Sequence, residues 1–145
     1  ELVTPNHFEL EHLVGRKVST MAEALAAARS LLGGPRLALI TSLRRADAPD
    51  DQVEMVAVSR DAAWRVSTPL IGFEVAPNGT GDAVAAMFCA HWLESGDVAA
   101  ALGKAASSIF AVLETTRALG ERELQLVAAQ DRLVAPPRRF TPEKV

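Results

Sequence analysis

Apolar residues cluster along the chain in short runs whose lengths and spacing predict alternating strands and helices. The run RLALITS, residues 36–42, is apolar on both alternating faces, as expected for a strand buried between two layers. Two further runs, at 53–59 and 63–75, are separated by the three residues RDA, and this spacing predicts an antiparallel hairpin. Combined with the helical segments described next, the pattern predicts an α/β fold.

Two helices near the amino terminus are predicted from their capping signals. Asn6 with Glu9, and again Thr20 with Glu23, have the spacing of a capping box, in which two residues satisfy each other's backbone amides. The first helix should end at Gly15. The residues in front of it, ELVTP, are typical of the end of a strand that turns into a helix.

Three more helices are predicted in the second half of the chain. Residues 82–94 are apolar nearly all round, which predicts a helix buried on every side. Residues 98–120 predict a long helix, and residues 121–134 predict a short one before a tail rich in proline and arginine. Because only three or four strands accompany all these helices, we expect the sheet to lack partners that lie outside this chain.

The composition narrows the class of protein. Hydrophobic residues make up 49% and charged residues 23%, the balance of a globular protein. The net charge of -3 gives no overall basic field for nucleic acid or an anionic membrane, and the single Cys89 excludes an internal disulfide. We find no apolar run of the roughly 18 residues that a membrane span needs, and the amino terminus lacks the pattern of a signal peptide. We therefore expect a cytoplasmic protein.

The segment NGTGD, residues 78–82, carries the candidate chemistry. Gly79 and Gly81 lack side chains, so backbone amides can approach a ligand closely at the start of a helix that attracts phosphate. Asp82 would repel that phosphate unless it has a chemical task, and accepting a proton from an attacking hydroxyl is such a task. The turn is neither a Walker A loop nor a Rossmann fingerprint, because the lysine of the first and the third glycine of the second are missing. The structural alternative is that Asp82 only stabilises the helix start.

Three motifs together resemble a known family. GTGD opening a helix, TPNHFELE at residues 4–11 and ERELQLVAAQDRLVAPPRRF at residues 121–140 resemble the ribokinase-like small-molecule kinases, and among these the pyridoxal kinases. The resemblance covers essentially the whole chain. It implies a three-layer α/β sandwich with a central, largely parallel sheet, of which residues 1–145 form the carboxyl-terminal half of a single kinase domain. The residues that clasp the pyridine ring would lie in the absent amino-terminal half.

The resemblance also implies an activity and the residues that perform it. The enzyme would use ATP to phosphorylate the 5'-hydroxymethyl group of pyridoxal, pyridoxine or pyridoxamine. Asp82 would contact this hydroxyl and act as its general base, while the backbone amides of Gly79, Thr80 and Gly81 would stabilise charge on the γ-phosphoryl group. As in the family, we expect a homodimer.

Metal and nucleotide contacts follow from the same resemblance. Glu9 would help to hold Mg²⁺ through water, and Thr4 would lie beside a monovalent cation, for which K⁺ is the candidate. Taken alone, Glu9 is adequately explained as half of a capping box. The residues implied to contact ATP are Thr41, Ser42, Thr68, Pro69, Leu70, Ile71 and Gly79.

Three alternatives stand beside this interpretation. A hydroxymethylpyrimidine kinase has the same fold, but such enzymes commonly carry cysteine where the GTGD motif has Asp82. A sugar kinase of the ribokinase branch fits less well, given the segment ELQLVAAQD. A non-catalytic module that binds nucleotide or pyridoxal would suit a half-length chain, although such a module need not keep a proton acceptor.

Overall fold

A computed structural model describes all 145 residues, and in it a five-stranded sheet carries helices on both faces. The elements in chain order are β1 (Leu2–Val3), α1 (His7–Val14), α2 (Met21–Ser30), β2 (Leu37–Leu43), β3 (Gln52–Val58), β4 (Ala63–Pro69), α3 (Thr80–Ser95), α4 (Val98–Leu119), α5 (Gln130–Val134) and β5 (Glu143–Lys144).

The sheet has the strand order β1-β2-β3-β4-β5 and is mixed rather than largely parallel. β1 runs parallel to β2, whereas the other three neighbouring pairs are antiparallel. The short turn at 59–62 and the helix-free loop at 44–51 explain this difference, because connections so direct join antiparallel neighbours. The predicted hairpin is confirmed, although β4 ends at Pro69 and residues 70–75 form a loop instead of extending it.

Alternate residues of the central strands pack into two separate hydrophobic cores, one on each face of the sheet. The fold therefore has three layers, with the sheet between two layers of helices. Leu37 and Leu39 pack in a cluster with α3 and α4, while Ala38 and Ile40 pack in a second cluster with α1 and α2. The period of two in a strand sends successive side chains to opposite faces. The prediction of a strand buried on both sides is therefore confirmed for β2.

Both predicted capping boxes are present. The Asn6 side chain accepts a hydrogen bond from the Glu9 amide, and the Glu9 carboxylate accepts one from the Asn6 amide, each at 2.9 Å. Thr20 and Glu23 are paired in the same way at the start of α2. α1 ends at Gly15, whose φ of 67° is the left-handed conformation that favours glycine.

The prediction that α3 is buried on every side is wrong. Only Val84 and Phe88 of this helix are buried, and Leu93 is 77% exposed. α3 packs on α4 and against β2, so one flank has no cover within this chain. α4 is the buried helix instead, because it crosses β3 and β4 between α3 on one side and the carboxyl-terminal residues on the other.

α4 also corrects the expectation about membrane spans. It is the one helix whose length and mean hydropathy would allow it to cross a membrane. In the fold, however, 61% of its apolar window is buried against other elements. Its hydrophobicity is accounted for by its central place in the core.

The predicted helix over 121–134 is limited to α5, Gln130–Val134. The preceding backbone pairs with other segments: Glu123 forms a bridge with Asn78, and the Gln125 amide donates to Thr116 Oγ1 at 3.0 Å. Residues 136–145, which we call the C-terminal strap, then cross α4 and add β5 to the edge of β4.

Candidate functional site

A cleft of about 490 Å³ opens where β2 and β4 end and α3 begins. We call it the nucleotide cleft, after the residues that the sequence analysis predicts to contact ATP. The sequence-predicted residues in its wall are Thr41, Ser42, Thr68, Pro69, Leu70, Ile71, Gly79, Thr80 and Gly81. The fold thus brings together every residue predicted to contact ATP.

An irregularity in β2 directs Thr41 and Ser42 toward this cleft. The pairing of β2 with β3 shifts register between Ile40 and Leu43, and the Thr41 amide donates instead to the Pro5 carbonyl at 3.0 Å. Such bulges re-aim side chains at the ends of strands. The Thr41 side chain is buried, so its hydroxyl is held in place beside the start of α3.

The glycine turn presents backbone amides to the cleft. Gly79 is the N-cap of α3 with a φ of 80°, and no side chain caps the first turn. The Thr80 hydroxyl donates to the Pro77 carbonyl at 3.0 Å, and the Ala83 amide is the first to bond back, to the Gly79 carbonyl. The amides of Thr80, Gly81 and Asp82 consequently remain available to an anion.

Asp82 lies in the first turn of α3, beside the glycines but outside the cleft wall. Its side chain is exposed and enters none of the hydrogen bonds or ion pairs of the structure. Asp82 therefore makes no capping hydrogen bond with its own helix. Of the structural alternative, only the favourable position of an acidic residue near the helix dipole remains. A free carboxylate at the rim of an amide-lined cleft is able to accept a proton from a group bound there.

Glu9 and Thr4 lie apart from the nucleotide cleft. Together they line a neighbouring depression of about 400 Å³, flanked by the exposed side chains of Phe8 and Leu13. Asn6 connects the two places, because it is bonded to Glu9 through the capping box and also lines the nucleotide cleft.

No group of three acidic, histidine or cysteine residues in the chain could hold a metal ion. Glu9 Oε2 accepts from the Asn6 amide, which leaves one carboxylate oxygen free for a cation. Magnesium commonly binds through one or two carboxylates, water and substrate phosphates. The residues present thus fit a Mg²⁺ ion that is held mainly by nucleotide phosphates.

The sequence did not reveal the apolar end of the nucleotide cleft. The apolar side chains that line it include Phe73, Ile109, Phe110 and Leu113. Ile109 and Leu113 have the i, i+4 spacing of a helix face, a signal shared by ordinary core residues. Phe110 is fixed from behind by the ring of Phe140, whose centroid is 5.0 Å away.

The nucleotide cleft contains no charged side chain in its wall. Its attraction for anions must therefore come from the amides and dipole of α3 and from hydroxyl groups such as that of Thr41. Arg117 and Arg122 line an adjoining depression that shares Phe73 with the nucleotide cleft. The Arg138 guanidinium lies 4.9 Å from the ring centroid of Phe110 in the cleft wall. An elongated ligand with an apolar ring and a phosphate chain matches this division into apolar and amide-lined ends.

Comparison with known proteins gives a consistent set of similarities. Residues 1–126 match the family model described as phosphomethylpyrimidine kinase. The chain is 53% identical over 147 residues to the pyridoxal kinase PdxY of Rubrobacter xylanophilus and 47% identical over 150 residues to that of Deinococcus radiodurans. Each alignment covers 100% of this chain and 50% of the relative, so the chain spans about half the length of the curated relatives it matches.

A solved structure shows the same arrangement of elements. The pyridoxal kinase of Leishmania donovani, in complex with ADP and ginkgotoxin, superposes with a TM-score of 0.87 at 27% identity. This match covers 99% of the chain and 50% of the Leishmania protein.

Proposed function

We propose that the chain, which belongs to the phosphomethylpyrimidine kinase family through the match of its residues 1–126, forms half of a pyridoxal kinase, the name carried by its relatives at 53% and 47% identity. The reaction is the ATP-dependent phosphorylation of the 5'-hydroxymethyl group of pyridoxal, pyridoxine or pyridoxamine. The observation that carries the proposal is the uncapped glycine turn, whose free amides face an otherwise uncharged cleft beside Thr41. The ribokinase-like fold itself is confirmed by the superposition on the Leishmania kinase.

The nucleotide is proposed to lie along the nucleotide cleft. Residues 68–71 and the apolar end suit the base, whereas the Thr41 and Ser42 hydroxyls suit the phosphates. The terminal phosphoryl group then reaches the amides of the glycine turn. Phosphoryl transfer requires mainly such positioning and electrostatic stabilisation, because charge spreads over the oxygens of the transferring group. The complex of the Leishmania relative with ADP supports this use of the cleft.

Asp82 is proposed as the general base. Its carboxylate is exposed, free of partners and one residue beyond the amide cradle, so a substrate hydroxyl placed at the rim can transfer its proton there.

Two cation roles complete the proposal. Glu9 would offer its free oxygen to the hydration shell of a Mg²⁺ ion, and such an ion would supply charge neutralisation for the nucleotide phosphates. Thr4, which precedes Pro5 at the junction of β1 and α1, is proposed to face a monovalent cation, K⁺ being the candidate.

We further propose that the 145 residues are the carboxyl-terminal half of the kinase domain. β1 is the edge of this sheet and has no neighbour on its outer side, and beside it Phe8 is 76% exposed and Leu13 is 56% exposed. A further strand and its helices would cover these groups, and would supply the contacts to the pyridine ring. The exposed apolar flank of α3 could be buried in one of two ways, against the amino-terminal half of the domain or against a second copy in a homodimer. The cytoplasm is the proposed location.

The second candidate is a hydroxymethylpyrimidine kinase, whose product, a phosphomethylpyrimidine, is the compound named in the description of the matching family model. The 53% identical relative carries the name of a pyridoxal kinase instead. Both reactions deliver a phosphoryl group to a hydroxymethyl substituent on a nitrogen heterocycle, so the glycine turn serves either of them equally.

Substrate choice is tested by measuring ADP release with ATP and Mg²⁺ against pyridoxal, pyridoxine and hydroxymethylpyrimidine in parallel. The assay is run on the 145-residue chain and on the same chain extended by the other half. We expect turnover of pyridoxal and pyridoxine by the extended protein. Faster turnover of hydroxymethylpyrimidine would replace the proposal by its alternative, and ADP binding without turnover of any substrate would indicate a binding module.

A further inference from the structure

A second cavity, of about 580 Å³, lies between α4 and the C-terminal strap. It shares no lining residue with the nucleotide cleft, and the kinase activity proposed above makes no use of it. Its volume falls in the range of small-molecule sites in proteins. We call it the strap cavity.

The strap cavity is built by close packing rather than by a loose tail. A β-carbon on Gly103 would lie 2.8 Å from Pro142 Cδ and 2.9 Å from the Phe140 carbonyl oxygen. The Ser107 hydroxyl accepts a hydrogen bond from the Phe140 amide at 3.0 Å and donates one to the Gly103 carbonyl at 2.7 Å. The strap is therefore held to α4 at a fixed distance, and the cavity exists without a ligand.

No acidic side chain lines the strap cavity, whereas three basic residues do. They are His91 from α3, Lys104 from α4 and Arg139 from the strap. Lys104 and Arg139 enter none of the ion pairs of the structure, and Glu94, which lies 3.9 Å from His91, is outside the lining. In a chain with 18 acidic and 15 basic residues, a lining that holds Lys104 and Arg139 and no carboxylate is a local reversal of charge.

The remaining lining is largely apolar, with a few hydroxyl groups. Leu133, Val134, Pro136 and Phe140 form the apolar side. Ser108 donates to the Leu133 carbonyl at 2.7 Å and keeps its lone pairs free. Apolar walls with a small set of convergent polar groups are typical of sites for small molecules.

We propose that the strap cavity binds a small phosphate monoester with an apolar body. Lys104 and Arg139 pair with the phosphate, since a dianion compensates two unpaired cations and accepts charge-assisted hydrogen bonds from both. His91 adds a ring nitrogen at the same side, and the apolar body of the ligand packs against Leu133, Val134 and Phe140. Inorganic phosphate, which has no apolar group, would make only the ionic contacts with Lys104 and Arg139 and should therefore bind more weakly.

The proposal is tested by titrating the ¹⁵N-labelled protein with phenyl phosphate and with inorganic phosphate while amide chemical shifts are followed. We expect saturable shifts at Gly103, Lys104, Ser107 and Phe140, with tighter binding of phenyl phosphate. The double variant Lys104→Gln/Arg139→Gln should weaken that binding by at least about tenfold, because it removes two charge-assisted hydrogen bonds. Its spectrum without ligand shows whether the fold is retained.

The control Arg16→Gln/Arg36→Gln removes the same charge from exposed positions that do not line the cavity, and should bind like the wild type. Equal weakening in both double variants would overturn the proposal, because it would reflect net charge alone. Shifts confined to Gly79, Thr80 and Gly81 would also overturn it, while supporting the nucleotide cleft independently.

Discussion

The hydroxyl oxygen of Thr41 lies 3.5 Å from the point that a β-carbon on Gly81 would occupy. The bulge in β2 and the first turn of α3 thus meet across the bare backbone of this glycine. The contact brings a hydroxyl donor next to the free amides of α3, which is the arrangement that a phosphate group requires. Gly81 is thus the glycine of close approach, whereas Gly79, two positions earlier, is the glycine whose φ of 80° forms the turn.

Substitution by alanine separates these tasks. Gly81→Ala should fold with unchanged or slightly higher stability, because its methyl group meets Thr41 at an ordinary contact distance and alanine is a better helix former by up to about 1 kcal/mol. ADP binding should weaken, since the methyl group enters the gap in front of the amides. Calorimetric titration with ADP and urea unfolding measure the two effects.

Gly79→Ala serves as the matched variant. Its φ of 80° is unfavourable for alanine, so we expect a loss of about 1–2 kcal/mol in the free energy of unfolding. Equal ADP affinity of Gly81→Ala and the wild type would show that the bare backbone at this position is not part of the nucleotide site.

Glu9→Gln tests the cation role without disturbing the fold. Glutamine retains the capping box with Asn6, so stability should change by less than about 0.5 kcal/mol. The loss of the negative charge should raise the magnesium concentration needed for half-maximal turnover. A magnesium titration that superposes on that of the wild type would leave Glu9 with its capping role alone.

The buried ion pair between loop 44–51 and β3 should dominate the electrostatic contribution to stability. Glu54 is 3% exposed and accepts hydrogen bonds from Arg45 Nε at 2.6 Å and from Arg65 Nη1 at 3.0 Å. This pairing raises the pKa of Arg45, chiefly through the hydrogen bond with Glu54. Glu54→Ala removes the buried carboxylate of this pairing and leaves Arg45 with only the exposed Asp47, and Arg65 with only the exposed Glu143. It should cost about 3 kcal/mol in urea unfolding.

The half-exposed pair of Glu114 and Arg132 provides the comparison for this variant. Its atoms are 2.8 Å apart, but both side chains reach solvent. Glu114→Ala should therefore cost less than about 1 kcal/mol. Similar losses in the two variants would show that the burial of Glu54 has no energetic consequence.

Glu11 should make the fold sensitive to acid. Its pKa is lowered, first because its carboxylate accepts a hydrogen bond from the Val18 amide at 2.8 Å and then through Lys17. A depressed folded pKa means that the ionised carboxylate stabilises the protein above the unfolded value of about 4.3. This contribution is lost as the pH falls through the folded value.

The melting temperature as a function of pH measures this contribution. Near neutral pH, Glu11→Gln should have a lower melting temperature than the wild type. The difference between the two melting temperatures should shrink as the pH falls below about 4. Glu121→Gln is the control, because its exposed carboxylate makes no hydrogen bond in the structure. A difference in melting temperature between Glu11→Gln and the wild type that stays constant over the whole pH range would contradict the link between Glu11 ionisation and stability.

Features encoded by neighbouring residues could be predicted from the sequence. The capping boxes at Asn6 and Thr20, the hairpin of β3 and β4 and the glycine turn before α3 all depend on contacts within a few positions. The candidate nucleotide residues came from the resemblance to the kinase family, and the fold brings them together in one cleft.

Features that depend on distant partners could not be predicted. The apolar pattern of α3 resembles that of a buried helix, yet α4 occupies the centre of the core and leaves the outer flank of α3 exposed. Thr41, in the bulge, donates its amide proton to the distant Pro5 carbonyl, and Phe110 in the cleft wall packs against the ring of Phe140. None of these partners is marked by spacing along the chain.

The central claim is that the glycine turn transfers a phosphoryl group with Asp82 as the base. The most direct test is the rate of ADP release with pyridoxal by the extended protein and its Asp82→Asn variant, with Asp61→Asn as an exposed control outside the nucleotide cleft. We predict a fall in turnover of about 10²–10⁴-fold for Asp82→Asn alone, with ADP binding retained. Turnover equal to that of the wild type would contradict the account, because a proton acceptor that can be neutralised without effect has no part in the reaction.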